Sequence, residues 1–213
     1  MFLEEEQINV TLDLLNNKIE RTPLLNEFIV WAYDELNLTV LNFFLDSISN
    51  NQPRIKILVW DENDKKKFLD NNHNYDTGKQ IQIREKFAQL SLKYNVYTDY
   101  QNSDMVFVCI DTFKDELEKR ILYTAQDEIT SQKSGIIHNI TVILNSIHIF
   151  FETDEQIKES RENGYCDELK NMFTAILNKY DKYNLFQNGA PCIFTSQQTL
   201  NEKYNGSMYN YLL

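Results

Sequence analysis

Acidic side chains follow three apolar segments of this chain, and these residues are the first candidates for chemistry. In chain order they are Asp61, Asp64, Asp111 and Glu152. In open α/β sheets, ligands bind beyond the carboxyl ends of the strands, and carboxylate oxygens are the ligands that Mg²⁺ prefers. A metal held there would activate water or polarise a phosphoryl group, with Glu62 or Asp154 as a base. One hypothesis is therefore a metal-dependent hydrolase or phosphotransfer enzyme.

The same acids have a second interpretation, because each of them also precedes a predicted helix. A helix begins with N–H groups that lack partners, and Asp or Thr side chains accept hydrogen bonds from them. Capping-box spacing occurs at Thr153 with Gln156 and at Thr195 with Gln198. Acids in a first turn also match the helix dipole. We favour capping over a metal site for these residues.

The C-terminal segment offers candidates for an interaction surface. Aromatic and methionine side chains are concentrated there, namely Tyr204, Met208, Tyr209 and Tyr211. Tyr and Met are enriched at protein interfaces. The alternative is a C-terminal edge strand whose aromatic side chains pack back on the same domain, and we favour this alternative.

Other catalytic and cofactor signatures are missing from the sequence. No G-x-S-x-G, phosphate-cradling glycine loop or H-E-x-x-H occurs. The segment from Asp70 resembles an EF-hand loop at its first positions but has Tyr75 and Ile81 where Gly and Glu are required. The three histidines are not spaced as metal ligands, and Cys109 lies inside an apolar segment as a small hydrophobe would. The sequence predicts no cofactor.

The charge of the chain restricts its partners. The net charge is −11, and the one dense basic run, Lys65–Lys67, is flanked by acids. Phosphate backbones repel such a chain, so we expect neither nucleic acid nor membrane as a partner. A basic protein partner fits the sign of the charge. An acidic start, no C-x-x-C pair and no apolar run near 20 residues predict a cytoplasmic location.

Two function hypotheses follow from these patterns. The first is a non-enzymatic, acidic, intracellular protein-binding module, of which an immunity protein that blocks a basic toxin is one concrete form. The second is the metal-dependent enzyme described above. The absence of a catalytic signature and the aromatic content of 13% favour the first hypothesis.

The N-terminal part of the chain, at about residues 1–36, is predicted to be helical. Ile8, Leu12, Leu15 and Ile19 form one apolar stripe. Thr22 followed by Pro23 predicts the start of a second helix that runs to about Leu36. Residues 38–48 are ambiguous, because their apolar residues recur at helical spacing whereas their composition favours a strand. We favour a strand that forms a hairpin with the next one.

The remaining elements predict a layered α/β or α+β fold, with helices around a mixed β-sheet. Strands are expected at 55–60, 105–110 and 191–194, and as a pair within 136–151. Helices are expected at about 64–69, 79–94, 113–132, 153–162, 167–180 and 199–204. With 5 Gly and 3 Pro, the chain has no flexible linker in its sequence, so we expect residues 1–213 to form a single compact domain.

Overall fold

The structure, a computed structural model, describes residues 3–48, 51–133 and 135–212, without the side chain of Ser103. The chain divides into two compact units, Met1–Glu116 and Leu117–Leu213, called unit 1 and unit 2 below. Each unit has a mixed sheet of three strands. The predicted α/β class with mixed pairing is confirmed, with two sheets where one was expected. The expectation of one domain stays a prediction.

Unit 1 begins with two helices, continues with a pair of strands and two further helices, and ends with a third strand. Its elements are α1 (Glu5–Leu15), α2 (Pro23–Leu36), β1 (Val40–Ile48), β2 (Gln52–Val59), α3 (Glu62–Lys66), α4 (Thr77–Tyr94) and β3 (Phe107–Thr112). Two 3₁₀ turns, Thr98–Tyr100 and Ser103–Met105, precede β3. The helical N-terminal segment and the strand at 40–48 are confirmed, with Met1 and Phe2 outside the described residues.

The start of α2 follows the sequence signal closely. The Thr22 side chain accepts a hydrogen bond from the N–H of Leu25 at 3.2 Å, and Pro23 occupies the first helical position. In α1 the apolar stripe differs from the expected one. Leu14 is buried there, whereas Ile19 lies beyond the helix and is exposed.

Sheet 1 has the order β1-β2-β3, with β1 and β2 antiparallel and β2 and β3 parallel. Ile55, Ile57 and Val59 alternate along β2 toward one face, as predicted, and all three are fully buried. The aromatic rings of Phe28 on α2 and Phe87 on α4 meet over this face at 6.0 Å between centroids. This is the core of unit 1.

Unit 2 repeats the pattern of helices, hairpin, helices and strand. Its elements are α5 (Phe113–Thr124), which starts in unit 1, α6 (Gln126–Thr130), β4 (Ile137–Ile143), β5 (Ser146–Phe151), α7 (Asp154–Glu162), α8 (Tyr165–Asn178), β6 (Cys192–Ser196), α9 (Gln197–Tyr204) and α10 (Met208–Tyr211). Sheet 2 has the order β4-β5-β6, again with an antiparallel and then a parallel pair. Phe151 and Phe173 are fully buried in its own core.

The two sheets share one irregularity. In β1 the register shifts between Val40 and Asn42, and in β4 it shifts between Ile137 and Asn139. Each shift is a β-bulge that inserts one extra residue near the start of the first strand. Each unit also has an equivalent backbone hydrogen bond just beyond its parallel pair of strands. The N–H of Lys114 donates to the Trp60 carbonyl at 2.9 Å, and the N–H of Gln198 donates to the Glu152 carbonyl at 3.1 Å.

Three details correct the sequence-based expectations. The C-terminal tail forms the helix α10 and not an edge strand. The cap of α9 is Ser196, which accepts from the N–H of Thr199 at 2.8 Å, so the helix is capped one residue after Thr195 and the expected capping box of Thr195 with Gln198 is not its cap. The long helix expected at 113–132 is interrupted at Ala125. None of the helices in the described ranges has the length and apolar composition needed to cross a membrane.

Candidate functional site

Asp61 and Asp64 stabilise the short helix in which they lie. The Asp61 carboxylate accepts hydrogen bonds from the N–H groups of Asn63 at 2.9 Å and Asp64 at 3.3 Å. The Asp64 carboxylate pairs with the Lys67 ammonium at 2.6 Å. Both acids therefore have local partners of the kind that the capping interpretation requires.

Asp111 lies inside β3 and not after it. It pairs in register with Leu58, and Cys109 pairs with Lys56. Neighbours in register point to the same face of the sheet, so Cys109 and Asp111 lie beside Lys56. Burial, and then the Asp111 carboxylate, raises the pKa of the Cys109 thiol to about 11. This thiol is therefore protonated near neutral pH and is a poor nucleophile.

Glu152 follows β5 directly in unit 2. Its Oε1 lies 2.7 Å from Nδ1 of His138 on β4. Its backbone N–H donates to the side chain of Gln156 at 3.0 Å, next to the capping box of Thr153 and Gln156 that the sequence predicted. The carboxylate thus joins the start of α7 to the neighbouring strand.

These acids do not assemble a metal site in the part of the chain that is described. Within residues 3–48, 51–133 and 135–212, no group of three or more His, Cys, Asp or Glu side chains is placed to hold a metal ion. Asp61 and Asp111 belong to unit 1, whereas Glu152 belongs to unit 2. The metal-dependent hypothesis stays a prediction from sequence without geometric support.

The aromatic tail packs against its own unit. Tyr211 of α10 lies with its hydroxyl 2.9 Å from Nδ1 of His148, and its ring contacts Phe150 and Tyr204. Burial lowers the pKa of His148 and raises that of Tyr211. Tyr209 points away from this cluster and is 72% exposed, while Met208 is half-buried. Tyr209 is thus the predicted interaction residue with most surface available to a partner.

A surface groove that the sequence did not single out lies between α2 and α4 in unit 1. It has a volume of about 550 Å³ and is lined by Trp31, Glu35, Gln82, Glu85, Lys86 and Gln89. The spacing explains the lining. The α2 residues are one turn apart, and the α4 residues recur at three and four positions, so each set lies on one helix face.

Two residues that line the groove are held in place, Trp31 by packing and Lys86 by an ion pair. The Trp31 ring packs 5.8 Å from that of Phe28, which is fully buried. Lys86 lies 3.6 Å from Glu27. Glu27 also accepts from Lys93 at 2.6 Å and Tyr94 at 2.9 Å, and these hydrogen bonds hold its pKa below the ordinary value. The cation of the groove, Lys86, therefore shares the Glu27 carboxylate with Lys93.

The two carboxylates of the groove have no such partner. Glu35 and Glu85 are exposed and form neither an ion pair nor a hydrogen bond with any residue in the described ranges. A half-buried indole that shares a groove with two unpaired carboxylates and two amides can contact an apolar side chain and a cation at once. The sequence does place Trp31 and Glu35 four residues apart on a capped helix. This spacing indicates a groove only when the helix that packs beside α2 is known.

Comparisons of the chain with protein-family models, curated proteins and solved structures found no match. The groove and its charges therefore have to support any functional conclusion by themselves.

A second polar feature of unit 1 is buried in sheet 1. The Arg54 guanidinium donates to both carboxylate oxygens of Asp46, at 2.7 and 2.5 Å, and Lys56 lies 3.8 Å from the same carboxylate. Lys56 is only 3% exposed. The Arg54 hydrogen bonds lower the pKa of Asp46, and Asp46 in turn raises that of Arg54. This cluster joins β1 to β2 and presents little surface to a partner.

Proposed function

We propose that this chain is an acidic protein-binding module that binds a basic segment of a partner protein in the groove between α2 and α4. The observation that carries the proposal is that Trp31 lines the same groove as Glu35 and Glu85, whose carboxylates have no ion pair or hydrogen bond within the described residues. The net charge of −11 has the sign that a basic partner requires.

The groove contains a residue type that contributes much of the binding energy at protein interfaces. Binding hot spots are enriched in Trp, and they lie where a rigid anchor is surrounded by groups that exclude water. The ring of Trp31 is already ordered by Phe28, so little side-chain entropy is lost on binding. Glu35 and Glu85 then select lysine or arginine on the partner.

The overall charge contributes to the rate of encounter. Complementary charge raises association rates and suppresses wrong partners more than it raises affinity. Because Glu35 and Glu85 are exposed, salt screens their attraction for a cation. The proposal therefore includes binding that weakens as the salt concentration rises.

Two sequence-based expectations belong to the same proposal. We expect a cytoplasmic location and no nucleic-acid partner, since the charge that attracts a basic protein repels phosphate backbones.

A single-tryptophan variant tests the proposal directly. The chain has two tryptophans, and Trp60→Phe leaves Trp31 as the only one, with the ring contact to Phe113 at 6.3 Å retained in kind. The probe is a synthetic amphipathic helical peptide of Lys and Leu. We expect a saturable change in Trp31 emission, and an affinity that falls at least about tenfold between about 0.05 and 0.5 M salt.

Matched variants separate the groove from the net charge. In the same background, Glu35→Gln with Glu85→Gln should weaken peptide binding by about tenfold. Glu20→Gln with Glu159→Gln removes two exposed charges elsewhere and should leave affinity within about twofold. Equal losses in both variants, or equal binding of a peptide with Glu in place of Lys, would contradict the proposal.

A further inference from the structure

Unit 2 contains a cleft whose charge differs from that of the chain as a whole. It has a volume of about 600 Å³ and opens between α7 and α9 over β6. The charged residues that line it are Asp154, Lys158, Arg161, Glu162 and Lys203. Three cations against two acids give a positive cleft on a chain of net charge −11.

Helical spacing places the cations in one cleft. Lys158 and Arg161 follow Asp154 at four and seven positions on α7, and Lys203 follows Thr199 by one turn on α9. Residues at such spacing lie on one face of a helix. The apolar side of the cleft is formed by Ile157 and Phe194.

Asp154, one of the two acids that line the cleft, already has hydrogen-bond partners. Asp154 accepts hydrogen bonds from the hydroxyl of Ser196, which is fully buried, and from that of Thr199 at 2.8 and 3.1 Å. These bonds, and then Lys203, lower the pKa of Asp154. The ionised carboxylate therefore joins the start of α7 to the start of α9.

The three cations of the cleft have fewer close partners than the Asp154 carboxylate has. Arg161 and Lys203 form no ion pair with residues in the described ranges, and Lys158 has only a loose contact of 3.6 Å with Glu155. Like charges that share a cleft repel one another, and an anionic ligand would relieve this repulsion.

Unit 1 shows that the shared topology does not require these cations. At the corresponding end of sheet 1, α3 follows the strand as α7 does, but α3 ends at Lys66 after five residues. It therefore ends before the position that Arg161 has on α7. The cleft is a property of unit 2 and not of the repeated arrangement of strands.

We propose that this cleft binds a phosphate monoester, with Arg161, Lys203 and Lys158 around the phosphate and with Ile157 and Phe194 against its organic part. A dianionic phosphate matches several cations better than a single carboxylate does, and the planar guanidinium of arginine binds two phosphate oxygens together.

The test uses the full ¹⁵N-labelled chain and two probes, inorganic phosphate and phenyl phosphate, at constant ionic strength. We expect saturable amide shifts confined to residues 154–162 and 194–203. Phenyl phosphate should bind at least about threefold more tightly than inorganic phosphate, because its ring reaches Ile157 and Phe194. Equal affinity of the two probes would overturn the assignment of the apolar side.

A charge-matched pair of variants completes the test. Arg161→Gln with Lys203→Gln should lower the affinity for phosphate at least about tenfold. Lys170→Gln with Lys182→Gln removes the same charge from exposed positions of unit 2 and should change it less than about twofold. Circular dichroism of each variant checks that the fold is retained. Shifts that follow ionic strength alone, or equal losses in both variants, would overturn the proposal.

Discussion

The protonation state of His148 affects the stability of unit 2. It lies on β5 with Nδ1 against the Tyr211 hydroxyl, and only 6% of its surface is exposed. Burial lowers its pKa below 6.5. As the pH falls, the unfolded chain takes up this proton before the folded chain does, so the stability that neutral His148 contributes is complete well above pH 6.5 and is lost as the pH falls through 6.5 toward the lower pKa of the folded chain.

We therefore expect the free energy of unfolding of unit 2 to fall between about pH 7.5 and about pH 5.5, and to fall less in a His148→Gln variant. Urea denaturation measures this when far-UV circular dichroism, which reports the helices of both units, is compared with tryptophan fluorescence, which reports unit 1 because both tryptophans lie there. Identical pH profiles for the two proteins would show that His148 does not cause the dependence.

The sequence predicted individual acids better than it predicted surfaces. The local roles of Asp61 and of Thr153 with Gln156 are visible in sequence because a cap and its N–H partners lie within three residues. The groove of Trp31, Glu35 and Glu85 and the cleft of Arg161 and Lys203 bring together residues far apart in the chain. No local pattern encodes such a neighbourhood.

At the scale of elements, a β-bulge changes which side chains of β1 face the core. Val40 faces the core, the extra residue follows, and Phe43 is the next residue to pack against the core. The interval of three residues resembles the period of a helix although the backbone is extended. In β4 the bulge places Ile137 and Ile140 inward by the same step.

Asparagine takes over a role that glycine usually has at the ends of these helices. Asn37, Asn95 and Asn205 all have positive φ values, of 52°, 53° and 53°, and terminate α2, α4 and α9. Asn tolerates this left-handed conformation. These three helices therefore end without glycine in a chain that has only 5 of them.

The hairpin of sheet 2 contains a residue that is less well suited to this conformation. Leu144 has a φ of 53° and lies in the two-residue turn between Ile143 and Ser146, 62% exposed. We expect Leu144→Gly to raise the free energy of unfolding by about 1 kcal/mol, since a left-handed conformation costs a residue with a Cβ about 1–2 kcal/mol.

Leu92 provides a control of opposite sign for this substitution. It is 61% exposed but lies within α4, so Leu92→Gly should lower stability by about 1 kcal/mol. Urea denaturation followed by circular dichroism measures both changes. A loss of stability in Leu144→Gly would contradict the expectation.

At the scale of the whole molecule, each unit has its own apolar core. The core residues of unit 1 include Phe28 and Phe87, and those of unit 2 include Phe151 and Phe173. Hydrophobic patterning predicted most of the helices and strands, but it indicated one sheet where the structure has two. Periodicity shows that a strand has a buried face without showing which strands pair.

Separate cores predict separate unfolding transitions. Phe173→Ala should cost about 3–5 kcal/mol and move the loss of helical circular dichroism to lower urea, with the tryptophan fluorescence transition of unit 1 unchanged. Phe87→Ala should move the fluorescence transition. If Phe173→Ala shifted both signals together, the two cores would be shown to unfold as one.

The helix α5 determines how the two halves of this chain can be separated. The division between the units falls after Glu116, inside the helix. On one side Phe113 contacts Trp60, and on the other Ile121 and Leu122 belong to the second core. A gene cut at the division would deprive both products of part of this helix, so stable fragments must overlap, one ending near residue 124 and the other starting near residue 113.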